Sequence, residues 1–434
     1  MINLFEQYSA STELLYTTLI SAGIRNRTVI IEDNGFIPED FDTPYRFFAK
    51  NPKQQIKPLF FNEVCIPDYW EIAGDNNMAQ VLDESRVKRA HIKYSASGIR
   101  LVKQVEWLDS AGRIRTIDHY DQYGKKYAES TYNIAGERVF IRYLNHVGKL
   151  IYYINFVTNN VILNIDDKVH LFESYDAFML YYYYAAQIHN EILLMNSLGF
   201  TLSSTFNLST QTKKFVVWQE HIKEQIPGNM KQILEDNKRD YILLVPDKEE
   251  HEKIQSALPN NQRIRPFGYM IETKQQNDAQ DILIMTNSDQ LIQIEQWINA
   301  FPDVTIHIAA LTEMSSALMG LGKHANVRLY PNVKVHNIEA LFERSGFYLD
   351  INKGNEIVNA VRTAFNHSLL IYANDTVAHN RAFTSHYFNE ESLDSTINEV
   401  REAMESHQYR QALLYKQRCH ANIVSAQVIK EAIK

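Results

Sequence analysis

Only two cysteines occur in 434 residues, Cys65 and Cys419. Two thiols so far apart make neither a disulfide framework nor a zinc site, and a reducing cytoplasm is the expected compartment. A long uninterrupted apolar run is missing as well. The most apolar stretch, 178–195, contains Gln187, His189, Asn190 and Glu191, which reads as a buried helix and not as a membrane span. The first residues, MINLFEQYSASTELL, lack a basic segment and carry Glu6, so they are not expected to be a signal peptide. There is no excess of positive charge. The net charge of −8 argues against a general nucleic-acid binder. Association with a membrane surface through a partner stays open.

Familiar catalytic signatures are absent too. No G-x-G-x-x-G or G-x-x-x-x-G-K-[ST] loop is present to cradle phosphates, and no G-x-S-x-G elbow or H-E-x-x-H helix. The 15 histidines are scattered without metal spacing. Some sugar-nucleotide transferases carry two Glu eight residues apart at the start of a helix in their second half. Glu63 and Glu71, Glu129 and Glu137, and Glu391 and Glu399 have that spacing, but none lies where the chemistry needs it. That place reads Leu349-Asp350-Ile351-Asn352-Lys353-Gly354-Asn355-Glu356, with Lys353 as its single cation.

What is present is a period. Asp109-Ser-Ala-Gly112, Asp121-Gln-Tyr-Gly124, Asn133-Ile-Ala-Gly136 and Asn145-His-Val-Gly148 recur every twelve residues. Asp and Asn start turns by bonding their own backbone, and Gly supplies the positive φ of a tight hairpin. The eight-residue segments between them, each roughly 26 Å when extended, are rich in Tyr, Ile, Val, Thr and Phe, which suit strands. An antiparallel meander is predicted. Strict alternation in 125–132 puts Lys125, Tyr127, Glu129 and Thr131 on one face and Lys126, Ala128, Ser130 and Tyr132 on the other. With few apolar residues on either face, the sheet is read either as a solvated insert or as a docking platform.

Around the meander the chain alternates strand and helix. Helices are expected at 11–23, 174–198 and 230–237. After 240, largely apolar strands (241–245, 281–285, 304–309, 326–329, 346–349, 368–373) alternate with helices, the pattern of parallel sheets with crossovers. The predicted order is 1–57 first Rossmann-like half, 58–168 meander insert, 169–276 rest of that half, 277–392 second half, and 393–434 C-terminal helices. Ligands of such sheets sit at the carboxyl ends of the strands. Thr286-Asn287-Ser288-Asp289 and Ala373-Asn374-Asp375-Thr376 occupy two of those ends, where plain helix capping is the competing account.

These residues carry a resemblance. The meander spliced into a two-Rossmann chain resembles the accessory-secretion glycosyltransferases that modify serine-rich repeat adhesins. Val217-Trp218-Gln219-Glu220 with Ile226-Pro-Gly-Asn-Met230, Ile284 to Gln290, and Tyr348 to Val358 are similar to the stabilising subunit and not to its catalytic partner. The resemblance implies an α/β, GT-B-like fold and no cofactor. It implies a non-catalytic, chaperone-like subunit, joined through the β insert to a catalytic glycosyltransferase subunit as a 2:2 heterotetramer. That complex would add the first N-acetylglucosamine from UDP-N-acetylglucosamine to Ser and Thr of an unfolded adhesin for accessory Sec export, in the cytoplasm or at the cytoplasmic face of the membrane. The alternative is an active retaining transferase using the same donor, with Lys353 and Glu356 in its site. Acceptor-binding candidates are Trp218, Glu220, Asn229, Asn287, Ser288 and Asn374. Trp218 is equally a core residue by pattern, and Asn229 equally a helix cap. Partner-interface candidates are Tyr120, Tyr132, Tyr143 and Tyr152, whose competing role is cross-strand packing.

Overall fold

The computed structural model describes the chain except residues 53–56, 76–77, 97–98, 209–211, 223–224, 237 and 276–277. It divides into two compact units, 1–268 with 426–434, and 269–425. The unit boundary lies at 268/269. The expected boundary at 276/277 and the expected helix end at Asn237 fall outside the described residues. The last helix, Ala426–Ala432, belongs with the first unit and not with the other C-terminal helices. Among the described residues no helix is long and apolar enough to cross a membrane.

The first unit holds a six-stranded parallel sheet. Ile2–Phe5 lies between Arg27–Ile30 on one side and Leu193–Met195 on the other, followed by Lys214–Val217, Tyr241–Val245 and Ile264–Pro266. Runs such as Ile2–Phe5 and Tyr241–Val245 are buried at every position, as strands covered on both faces must be. The predicted helix 174–198 is in fact Tyr175–Ala185, capped by Ser174, and then the strand Leu193–Met195. The chain turns at Gln187, whose φ of 59° ends the helix.

Between the second strand and Leu193 the chain runs out into a ten-stranded antiparallel sheet, Glu71–Gly74 through Lys168–Phe172, with every strand beside its sequence neighbour. The twelve-residue period is its turn. In each repeat the Asp or Asn Oδ1 accepts the N–H groups two and four residues on, as Asp109 does from Ala111 and Arg113 at 2.9 and 3.0 Å. The four glycines sit at φ of 72° to 80°.

The hairpins carry a further regularity that alternation did not anticipate. Leu108 pairs with Ile114 but Trp107 with Thr116, so Arg115 is an extra residue. The same shift leaves Tyr127, Val139 and Ile151 extra in the next three hairpins. A bulge therefore recurs with the turn, and it breaks the two-residue alternation of faces. Tyr127 and Ala128 are both buried, as are Ile151 and Tyr152, contrary to the alternating reading of 125–132.

The result is one sheet with two cores on opposite faces. Its first strands bury Ala79, Val81, Ala90, Ile92 and Val105 under the segment from Leu59 to Trp70. Its later strands turn the other face toward the helices Pro44–Ala49 and Tyr175–Ala185, joining the core of the parallel sheet. That seam is aromatic: Tyr45 packs on Tyr127 and Tyr143, Tyr143 stacks on Tyr152 with ring centres 4.4 Å apart, and Tyr152 meets Phe178.

In the second unit Asp281–Met285 lies between Ile306–Ala309 and Ser345–Asp350. The sheet continues with Val327–Tyr330 on one side and Leu370–Asn374 and His386–Phe388 on the other, all parallel. The architecture is α/β, two Rossmann-like halves with a β-meander inserted in the first.

Candidate functional site

A doubly wound sheet opens a crevice where its strand order reverses. In the second unit that point is the carboxyl ends of Asp281–Met285 and Ser345–Asp350. The Thr286 hydroxyl stands 2.9 Å from Asn352 Oδ1, which also accepts the Gly354 N–H at 2.9 Å. Asn352 Nδ2 donates to Asn287 Oδ1 and to the Asn355 carbonyl. Gly354 has no room for a side chain, because a Cβ there would overlap the Asn287 amide. A cavity of about 320 Å³ opens beside this network, lined by Thr286, Asn287, Ser288, Asp289, Thr312 and Glu313 among others. Asn287 and Ser288 are thus brought together. Asn374 is not part of the network. It is 3 % exposed, and its Oδ1 accepts from the Thr376 N–H and hydroxyl in a turn that no α-helix follows before Leu393.

The most constrained polar group here, His379, was not singled out by sequence. Its Nδ1 is 2.6 Å from Asp350 Oδ1, its backbone N–H donates to Asp350 Oδ2, and its Nε2 is 2.7 Å from the Gly354 carbonyl. The hydrogen bond to Asp350 raises its pKa to about 9, so both ring nitrogens donate at neutral pH. His379 therefore ties the strand end at Asp350 to the loop 352–356. Glu356 accepts the Val361 N–H at 2.9 Å, and burial raises its pKa. The separation of 29 positions from Asp350 to His379 explains why no motif announced them.

In the first unit the equivalent reversal lies between Ile2–Phe5 and Leu193–Met195. Glu6 accepts the Phe200 N–H at 3.1 Å, and Asn196 accepts the Glu6 N–H and donates to Thr12. Trp218 is 5 % exposed and belongs to the hydrophobic core, which decides between its two readings in favour of packing. Among the described residues its indole N–H has no hydrogen-bond acceptor. Glu220 is exposed. Asn229 lies inside the helix Gly228–Glu235, not before it, and its Nδ2 donates to the Leu198 carbonyl, joining that helix to the strand-end loop.

The four tyrosines do not share a surface. Tyr143 and Tyr152 face the seam described above, and Tyr152 is 3 % exposed, so in this chain they pack against its own first half. Tyr120 packs against the core on the opposite face. Tyr132 is half-buried at a strand end. The bulge after each turn is the cause, since it moves residues between faces that a strict two-residue count keeps apart.

Glu339, Glu343 and His367 converge closely enough to hold a cation. The Lys274 ammonium already bridges the two carboxylates, so the chain supplies its own positive charge there.

Two Rossmann-like halves, the first carrying a long β insert, define a GT-B-like fold. The same fold occurs in the crystal structure of TarM, at 11 % identity and a TM-score of 0.53 over 99 % of this chain and 97 % of that one. The nearer relations are specific. Four family models match in order: the GtfB N-terminal domain (2–48), middle domain (70–173) and third domain (176–257), and the GftB/GlyA-F C-terminal domain (282–417). The stabilising protein GtfB of the UDP-N-acetylglucosamine–peptide N-acetylglucosaminyltransferase from Streptococcus gordonii is 33 % identical over 100 % of this chain and 98 % of its own. Its counterpart from Streptococcus pneumoniae serotype 4 is 35 % identical over 98 % and 97 %. A chain in the crystal structure of a GtfA/B complex bound to UDP and GlcNAc superposes with a TM-score of 0.92 at 33 % identity, covering 99 % of this chain and 98 % of that one. The chain belongs to the GtfB family of stabilising proteins of the UDP-GlcNAc–peptide N-acetylglucosaminyltransferase.

Proposed function

We propose that this chain is the non-catalytic, stabilising and acceptor-holding subunit of a two-component protein O-GlcNAc transferase. Its catalytic partner transfers the first GlcNAc from UDP-GlcNAc to Ser and Thr of an unfolded serine-rich repeat adhesin destined for accessory Sec export. The complex is a 2:2 heterotetramer, in the cytoplasm or at the cytoplasmic face of the membrane. The observation that carries this reading is the furnishing of the crevice in the second unit. The half-buried Asn287 and Ser288 line it with the exposed Asp289, held from behind by the buried Thr286 and Asn352. Such groups suit the hydroxyls and peptide bonds of a Ser/Thr-rich chain. A nucleotide diphosphate wants cations and unoccupied N–H donors, and here His379 is spent on Asp350 and Gly354. Trp218 and Asn374, 5 % and 3 % exposed, leave the list of acceptor contacts. Glu220, Asn229, Asn287 and Ser288 remain on it.

The test is transfer. The chain alone, with UDP-GlcNAc and a Ser-rich peptide, is expected to give no glycopeptide by mass spectrometry. With the catalytic partner added, product should accumulate. Turnover by the chain alone, abolished by Lys353→Ala or Glu356→Gln, would instead identify an active retaining transferase.

For the partner surface the register favours a strip other than the tyrosines first considered. Phe140, Tyr153, Ile162, Val169 and Leu171 share the face turned away from the seam, and Leu171 and Val169 are 65 % and 70 % exposed. Lys168–Phe172 is also an edge strand with one side unpaired. Leu171→Lys is expected to reduce the complex to its separate subunits in light scattering without moving the melting temperature of the chain alone. An intact tetramer would rule this strip out. Tyr152→Lys should instead unfold the seam.

A further inference from the structure

Glu339 and Glu343 stand one turn apart on the helix Val335–Arg344 and reach the same spot. His367 reaches it from the end of the helix Ala360–Asn366. One ligand atom from each of the three lies within 4.8 Å of the others. Both glutamates are exposed, but the His367 side chain is only 6 % exposed.

The imidazole is held from two sides. Its Nδ1 is 2.9 Å from the Thr363 carbonyl, which can only accept, so the ring proton sits there. The ring stacks on Phe342, with centres 5.5 Å apart, and Phe342 is itself fully buried. Nε2 is therefore the nitrogen offered to the glutamates, 3.1 Å from Glu339 Oε1. In the neutral ring both of those atoms are acceptors, and a cation between them removes the conflict. Histidines that bind metals are commonly fixed in this way, with the other ring nitrogen donating to a carbonyl.

Lys274 brings a cation to the carboxylates, touching Glu339 and standing 3.0 Å from Glu343. It is a replaceable one. The backbone of Lys274 is fastened separately: its N–H donates to the Asn366 carbonyl at 2.6 Å, and its carbonyl accepts from the Ser368 hydroxyl at 2.7 Å. The ammonium can leave without releasing its segment. Ion pairs between exposed side chains contribute little, so little is lost when it goes. The ligand types select the newcomer. One imidazole and two carboxylates suit zinc, whereas magnesium and calcium prefer oxygen alone. In a tetrahedral zinc site with bonds of about 2.0–2.1 Å, ligand atoms stand roughly 3.3 Å apart. His367 Nε2 and Glu339 Oε1 are already near that separation, and the exposed Glu343 has the rotamer freedom to complete the set.

We propose that Glu339, Glu343 and His367 form a three-ligand site for Zn²⁺, with Lys274 as the intrinsic cation that zinc displaces. Water completes the tetrahedron. Binding exchanges a surface ion pair for a clip between two helices of the second unit, and it sets the Lys274 ammonium free. The stability of that unit then follows the zinc concentration. The inference does not depend on acceptor holding.

The experiment titrates zinc chloride into the full chain, first stripped of metal with a chelator, and reads heat by calorimetry and the melting temperature. One equivalent is expected to bind and to raise the melting temperature, and magnesium chloride should do neither. Lys274→Met removes the competing ammonium and should tighten zinc binding about tenfold. Because His367→Ala also removes the packing on Phe342, the ligand set is tested at the surface. Glu343→Gln should weaken zinc binding about tenfold or more while leaving the metal-free melting temperature unchanged. No zinc binding, or equal binding of magnesium, overturns the site. Zinc binding that neither substitution alters is an adventitious ion only and overturns the assignment. Weakening by Glu343→Gln without tightening by Lys274→Met overturns the displacement of the lysine.

Discussion

Gly35→Val is expected to lower the melting temperature of the first unit by roughly 10 °C. Gly35 sits at φ 81°, and a Cβ there would come 2.6 Å from the Tyr120 carbonyl oxygen, 2.9 Å from Asp121 Cα and 2.9 Å from the Tyr127 ring. Two of those neighbours are backbone and cannot swing aside. The same residue accepts the Gln122 N–H at 2.9 Å, so this is where the loop after the second strand is joined to the meander. The left-handed conformation costs a β-branched residue about 1–2 kcal/mol, and overpacking adds about 1–3 kcal/mol. In a unit of this size each kcal/mol moves the midpoint by about 2–4 °C. Gly136→Ala is the control. It shares the positive φ, 80°, but has no atom within 4 Å of the added Cβ, so only the conformational strain should appear. Equal shifts for the two variants in calorimetry would mean that the contact with Tyr120 and Asp121 contributes nothing.

The second large effect depends on pH. His379 in the folded chain titrates at about 9, against about 6.5 when unfolded. A folded-state pKa raised above the unfolded one gives stability that is complete below pH 6.5. It is lost as the pH rises through 9. The second unit should therefore become easier to unfold in urea between pH 6.5 and 9.5. The shift bounds the loss at about 3 kcal/mol, and partial exposure to solvent reduces it to about half. Asp350→Asn should flatten the profile, because the imidazolium loses its counter-charge. A wild-type profile already flat over that window would show that the His379–Asp350 pair does not stabilise the fold. Loosening of the loop 352–356 at high pH should also weaken binding of a Ser-rich peptide, a readout that a remote stabilising pair would not move.

The repeats were legible because turn chemistry is local. An Asp or Asn that bonds its own backbone and a Gly with positive φ declare themselves within four residues. The parallel strands were legible for a similar reason, since a strand buried on both faces is an unbroken apolar run. Three things were not. The stretch 174–198 is largely apolar on either side of Gln187-Ile188-His189-Asn190-Glu191, and neither Gly nor Pro marks the break there. Periodicity alone could not divide it into a helix and a strand. The bulges add one residue per hairpin without any compositional sign, so alternation assigned Tyr127 to the wrong face. The site suffers most, because it is built from separations that sequence does not display. Asn287 meets Asn352 across 65 residues, and Asp350 meets His379 across 29. Trp218 shows the converse, a large aromatic after a strand whose burial only the fold reveals.

The recurrence of turn, bulge and strand in one twelve-residue unit makes the length of the meander discrete. Each unit closes its own turn with its own side chain and borrows nothing from its neighbours to do so. Removing one unit reverses the direction in which the chain leaves the sheet, so the helix that must follow at Tyr175 would start from the wrong end. Removing two preserves direction, face and bulge phase together. The reach of the sheet away from its parent domain can therefore change only in steps of twenty-four residues, like the extension of a ruler that folds in pairs.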